Sequence, residues 1–281
     1  LASVIVPGKS GESELMRRIT AKDADDRMPP VKSGKTLTTA QIKTLSRWID
    51  QGATWRRHWS FVPPKRPAVP HTDSNWRRNP IDNFVLARMR GAGLSPSEEA
   101  DRRTLVRRLS LDLTGLPPSL EMVRAFTKNE SPAAYERLVD KLLASPRYGE
   151  QRARFWLDAA RYGDTHGLPL DNYREFYPYR DWVIAAFNAN KSWADFVTEQ
   201  LAGDELQPGD PQAAIATGFL LCGPDMPDIN LQEERRHTFL NDMTGTVGSV
   251  FMGLHVDCAQ CHNHKFDPVS QYDFYRLRAF F

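Results

Sequence analysis

Cys258-Ala259-Gln260-Cys261-His262 holds the densest set of reactive donors in the chain: two thiols two residues apart, with an imidazole directly after the second. A gap of two residues brings paired thiols to the separation of the two vinyl groups on a porphyrin, and the histidine that follows falls beneath the iron. The spacing therefore predicts haem c attached through Cys258 and Cys261, with His262 as axial iron ligand. Cys222 is the third cysteine, and its neighbours Ile215, Phe219, Leu220 and Leu221 make it a small buried core residue. Three cysteines in 281 residues, two of them spent in one motif, are too few for a disulfide framework.

Two other chemistries use the same residues. Cys258, Cys261, His262 and His264 offer thiolate and imidazole to zinc, but four donors within seven residues crowd a single tetrahedron, and no second Cys-x-x-Cys pair supplies the rest. Thiol-disulfide exchange is the other, yet such motifs sit beside a strand-helix unit that this sequence lacks. The sixth iron position stays open. His255 and His264 are tethered too close to His262 to cross a porphyrin, whereas Met243, Met252, His237, Met226 and His166 could each approach from elsewhere.

A second class of function is an oxidoreductase or metal-dependent enzyme. Asp164, His166, Asp204, Glu233, Glu234, His237 and Asp242 are its candidate polar groups, against their ordinary use as helix caps and partners of the many arginines. A third class is a scaffolding or binding module, zinc-stabilised or docking through Tyr173, Phe176, Tyr177 and Tyr179, residues equally ordinary as packing groups.

The elements that must position these residues read as all-α, a multi-helical domain with long loops. Residues 35 to 53 predict a helix capped by Thr38, with Ile42, Leu45 and Ile49 at helical spacing and Gly52 at the exit. Asn79-Pro80 predicts another helix start, with its end near Gly91. Leu105, Leu109 and Leu113 form one stripe; Tyr135, Leu138, Val139, Leu142 and Leu143 a second; Trp182, Val183, Ala186 and Phe187 a third. Loops are expected around 163 to 176, 203 to 211 and 222 to 232. Between the first two helices, the prolines from Pro63 to Pro70 mark a linker over 55–78, and Trp55, Trp59 and Phe61 suggest that it packs along a surface. The expected organisation is 1–54, a linker over 55–78, and a helical domain over 79–281.

Composition sets outer bounds. A net charge of +2, with 37 basic residues against 35 acidic, gives no electrostatic footprint for nucleic acid or an anionic membrane. No stretch approaches the roughly twenty apolar residues of a membrane span. The start at Leu1, without a signal pattern, and the apolar end at Phe281 read as an internal slice of a longer protein.

Gly253 to Pro268, with its Cys-Ala-Gln-Cys-His-Asn-His-Lys-Phe-Asp-Pro core, resembles the signature of the planctomycete-type cytochrome c family, the PSCyt proteins. Trp156–Tyr162, Tyr177–Val183 and Glu199–Asp204 resemble further blocks of its second domain, about residues 79 to 281. Val6–Ser10, Arg27-Met28-Pro29-Pro30 and Leu45–Ala53 resemble the end of the cytochrome domain that precedes it, making residues 1–54 a partial cytochrome c-like helical segment. The resemblance implies that Met28 is the second axial ligand of that domain's own haem, whose Cys-x-x-Cys-His would lie before residue 1. It also implies an exported, periplasmic or envelope protein. The partners implied are a redox protein or downstream domains of the same polypeptide, with polysaccharide association. His255 stands where the family has a small or polar residue.

Overall fold

Helices start where a side chain can occupy their first unpaired N–H groups, and most starts in this chain are of that kind. The computed structural model describes residues 4–55, 58–168, 171–225 and 231–281, and every regular element among them is helical. Extended backbone pairs there at a single bridge, Thr165 with Tyr173. By contacts the chain forms two units, Leu1–Ser97 and Glu98–Phe281.

The first unit carries α1 (Glu14–Ile19), α2 (Thr39–Asp50) and α3 (Pro80–Gly91). Thr38 and Gln41 cap each other's backbone N–H groups at the start of α2, and Asn79 and Asp82 do the same for α3, with Pro80 at its first position. Gly52 leaves α2 with φ +98°, a left-handed conformation that disfavours any side chain. The predicted helix over 35–53 is therefore shorter at both ends. Ile19 and Ile49 are buried, and Gly8 N donates to the Ile49 carbonyl at 2.8 Å, tying the N-terminal turn to α2. Asn83 of α3 donates to the Pro70 carbonyl at 2.8 Å, which anchors that helix to the proline segment before it. Trp55 and Trp59 contradict the expectation of a packed linker: they are 82% and 79% exposed. Trp55 meets Trp48 edge-on, whereas Phe61, the third aromatic of that expectation, is half-buried.

In the second unit α4 (Arg102–Thr114), α5 (Leu120–Lys128) and α6 (Ala134–Leu143) enclose a core of Val106, Leu113, Phe126, Ala134, Leu138 and Leu142. The inward line of α4 is Val106, Ser110 and Leu113; Leu105 and Leu109 of the expected stripe lie at its half-buried edge. Next come α7 (Pro146–Ala160), α8 (Tyr177–Asn188), α9 (Trp193–Leu206), α10 (Pro211–Ala216) and α11 (Gly218–Leu221). Their core centres on Trp156, Tyr179, Trp182, Val183, Phe196 and Phe219. The loop expected over 203–211 begins later, since α9 kinks at Ala202 and continues to Leu206. Gly203 allows this: a Cβ there would lie 2.8 Å from the Ala213 carbonyl oxygen. The chain closes with α12 (Gln232–Val247) and α13 (Gln271–Arg278).

One polar group lies at the centre of the aromatic core. Gln200 is fully buried, and its Oε1 accepts from Trp156 Nε1 at 2.9 Å and Tyr179 Oη at 2.7 Å, while its Nε2 donates to the Phe196 carbonyl at 2.8 Å. Burial pushes the Tyr179 phenol well above its ordinary range, so it remains a donor. Gln200→Leu keeps the volume and removes the acceptor. Trp156 Nε1 keeps Tyr179 Oη at 3.1 Å, so the phenol is the donor left without a partner, at a cost of roughly 1–3 kcal/mol, read as a lower urea midpoint at unchanged m value.

Candidate functional site

The Cys-x-x-Cys-His turn is aimed by its one small residue. After α12 the chain passes through a wider turn, Gly248–Met252, leaves it at Gly253 with φ +64°, and forms a short 3₁₀ helix, Asp257–Gln260. Ala259 is fully buried, and with Val256 it packs on Phe274 of α13, itself 1% exposed; Leu254 and Val269 flank this small core. Residues three apart on a three-residue turn share a face. With Ala259 pinned inward, Cys258 and Cys261 point outward together, and both are exposed free thiols.

The segment after the motif is braced by its own polar residues. His264 N donates to the Val269 carbonyl at 2.8 Å, and its Nδ1 accepts from Asp267 N at 2.8 Å and Phe266 N at 3.3 Å. Asn263 Oδ1 accepts from Gln271 N at 2.9 Å, at the start of α13, where Ser270 and Asp273 form a reciprocal cap. The Gln260 carbonyl accepts from Gln271 Nε2 at 3.0 Å and Tyr275 Oη at 3.2 Å. His264 is thus a largely buried brace with one nitrogen already used. His262 is exposed, with Nδ1 2.8 Å from the Asn263 carbonyl. A contact to a carbonyl requires the proton on Nδ1, which leaves the Nε2 lone pair available. Two outward thiols and a free imidazole Nε2 make up the donor set that covalent haem needs, and these residues fit it. Among the described residues no three His, Cys, Asp or Glu side chains are grouped closely enough to hold a metal ion by themselves.

The back of the same turn forms one wall of a polar cleft of about 500 Å³. Asp257 and Gln260 face α12, which contributes His237, Thr238, Asn241, Asp242, Gly245 and Thr246; Ser249 and Arg161 complete the lining. Arg161 sits just past α7 in a left-handed conformation, φ +61°, and its Nη1 donates to Asp242 Oδ1 at 2.6 Å. Gly223, φ +103°, lets the guanidinium pass, since a Cβ there would lie 2.9 Å from Arg161 Nη2. Gly245 has the same role towards Asp257, whose Oδ1 occupies the space that a Cβ would need.

Several residues singled out in the sequence lie apart from this region or serve packing. Asp242 and His237 are in the cleft, and His237 Nδ1 accepts from Arg278 at 2.9 Å. Asp164 accepts from Tyr162 Oη at 2.7 Å, Asp204 from the Glu205 backbone at 3.1 Å, and Glu233 and Glu234 occupy the first turn of α12. His166 lies 3.8 Å from Asp225, its Nδ1 buried. Tyr179 is core and Phe176 packs against it; Tyr173 and Tyr177 are exposed. Of the candidate sixth ligands, Met243 is a core residue, Met252 is exposed, and Met226 falls outside the described residues. Met28 is 43% exposed on a loop of the first unit. Sequence reasoning missed Arg161, Asn241, Asp257 and Gln260 as a group, although Asp257 and Gln260 belong to the motif's own turn.

These features define an all-helical protein that displays a Cys-x-x-Cys-His turn with two exposed thiols. The chain belongs to the PSCyt2 family, described as a protein of unknown function (DUF1549), whose model matches residues 80–281. Residues 2–32 match Planctomycete cytochrome C, PSCyt1, which ties the chain to cytochrome-related proteins. Comparisons with curated proteins and with solved structures found no match.

The three thiols differ sharply in accessibility. Burial pushes the Cys222 thiol up to about 12, and Arg174 and Arg161 offset this only in part. Because the folded value is raised, Cys222 stays protonated through neutral and mildly alkaline pH. With iodoacetamide at pH 8, the haem-free protein is expected to label at Cys258 and Cys261 and to label Cys222 only after unfolding, as read by peptide mass spectrometry. Phe274→Ala removes the support under the turn and should lower stability by about 3 kcal/mol, measured by urea denaturation.

Proposed function

We propose that the second unit attaches haem c covalently through Cys258 and Cys261, with His262 Nε2 as axial ligand, and acts in electron transfer within a larger exported envelope protein. The observation that carries this reading is the outward pairing of two free thiols with an imidazole whose Nδ1 is already engaged by the Asn263 carbonyl. Bound there, the group supplies one-electron exchange at iron. The protein's own part is to hold the attachment points rigid: Ala259 locks the turn onto Phe274, and Asn263 and His264 fix the chain that follows. Met252 and Phe266, either side of the motif, are 53% and 83% exposed and give apolar surface that a bound macrocycle would take up. The PSCyt1 match over residues 2–32 supports a cytochrome context. Within the same reading, Met28 serves as axial ligand to a second haem, that of the PSCyt1 segment. The partner is a redox protein, or further domains of the same polypeptide, that delivers and removes single electrons. Among the described residues no helix is long and apolar enough to cross a membrane.

Protein exported through a periplasm with haem-attachment machinery should give a pyridine haemochrome spectrum typical of covalent haem. The Cys258→Ala, Cys261→Ala variant should lack the band. Absence of covalent haem from correctly exported wild-type protein would overturn the proposal.

A further inference from the structure

Tryptophan and tyrosine rings follow one another through the second unit at short spacing. Trp193, at the start of α9, is 60% exposed, and its ring lies edge-on to that of Trp156 with centroids 5.7 Å apart. Trp156 is buried, and its Nε1 donates to Tyr179 Oη at 3.1 Å. Tyr179 is buried as well, and its ring centroid stands 6.3 Å from that of Tyr162. Tyr162 is half-buried, and its Oη donates at 2.7 Å to Asp164, an exposed residue. The series runs from an exposed indole, through two buried rings, to a phenol bonded to a carboxylate at the surface.

Among aromatic side chains, those of tryptophan and tyrosine lose a single electron most readily. Tunnelling slows exponentially with distance, so a long transfer is fast only when divided into short steps. Proton acceptors give this series a direction. Losing an electron makes a phenol strongly acidic, and a tyrosyl radical persists where a base takes the proton. Tyr179 Oη donates at 2.7 Å to the Gln200 amide oxygen, which is not a base, and Trp156 Nε1 shares that oxygen at 2.9 Å. Tyr162 faces a carboxylate instead. Burial first, and then the bond to Asp164, push the Tyr162 phenol well above its ordinary range, so its proton stays on Oη until an electron leaves.

We propose that Trp193, Trp156 and Tyr162, coupled through Tyr179, form a one-electron relay that moves an oxidising equivalent from Trp193 to Tyr162, independently of haem attachment. The oxidant is a one-electron acceptor strong enough to oxidise indole, a high-valent metal centre or an inorganic radical, and it meets the exposed Trp193 ring. It takes one electron from Trp193, and Trp156 replaces that electron. Tyr162 then reduces Trp156 through the Tyr179 ring that lies between them. As its electron leaves, the Tyr162 O–H bond breaks and the proton passes to Asp164, which leaves a neutral tyrosyl radical. An external one-electron reductant ends the sequence: it supplies the electron, and Asp164 returns the proton.

The test uses the full chain carrying Cys258→Ala, Cys261→Ala and Ala194→Cys. A ruthenium-bipyridyl photo-oxidant then attaches beside Trp193, at an exposed position, while buried Cys222 stays unmodified. A laser flash with cobalt(III) pentaammine chloride as sacrificial acceptor generates the oxidant, and electron paramagnetic resonance after freeze-quenching reads the radical. A tyrosyl signal is expected, slower to appear in D2O, lost in Tyr162→Phe and lowered several-fold in Asp164→Asn. Trp156→Phe should also remove it. Trp193→Phe, at an exposed position, should lower the yield several-fold and serves as the second variant if Trp156→Phe does not fold. A tyrosyl signal that survives Tyr162→Phe would sink the assignment, as would a tryptophan radical with no tyrosyl radical, no protein radical at all, or an unchanged yield in a folded tryptophan variant. The readout needs no haem, so failure here leaves the haemochrome result untouched, and the reverse also holds.

Discussion

The contact between Ala259 and Phe274 governs what this surface can do. A four-residue turn has little stability of its own, because each residue ordered costs about 1–2 kcal/mol of backbone entropy. The turn is held in one orientation because Val256 and Ala259 enter a small apolar site completed by an α13 residue that is 1% exposed. A larger side chain at 259 would not fit in that buried site. The two thiols are therefore displayed as a consequence of what lies between them, and chemistry at the surface depends on packing beneath it.

The same turn has two faces. Outward are Cys258, Cys261 and His262; inward and to the side are Asp257 and Gln260, which close a polar cleft against α12 and the end of α7. That cleft is lined by charged and amide groups, while Met252 and Phe266, either side of the motif, are exposed apolar side chains. Glycines at 223 and 245 let Arg161 and Asp257 approach backbone that a side chain would block. The fold thereby places the Cys-x-x-Cys-His motif beside a polar cleft, with Gln260 common to both.

The sequence by itself determined the helical character, the bounds of α3 and the apolar lines of α6 and α8, apart from Leu143 of the α6 line, which is exposed, because those depend on spacing and local caps such as Asn79 with Pro80. The Cys-x-x-Cys-His spacing of Cys258, Cys261 and His262 was legible there too, since it is a local property of five consecutive residues. It misjudged Trp55 and Trp59, where composition suggests burial but both side chains are exposed, and the end of α9, where Gly203 permits a close contact invisible in a one-dimensional pattern. Only the tertiary structure decided that His264 braces a loop, that Tyr179 is core, and that Arg161, Asn241, Asp242 and Asp257 meet. Arg161 and Asp242 are separated by 81 positions and joined at 2.6 Å. Periodicity reports which face of an element is apolar, but not which distant polar groups the packing of those faces will bring together.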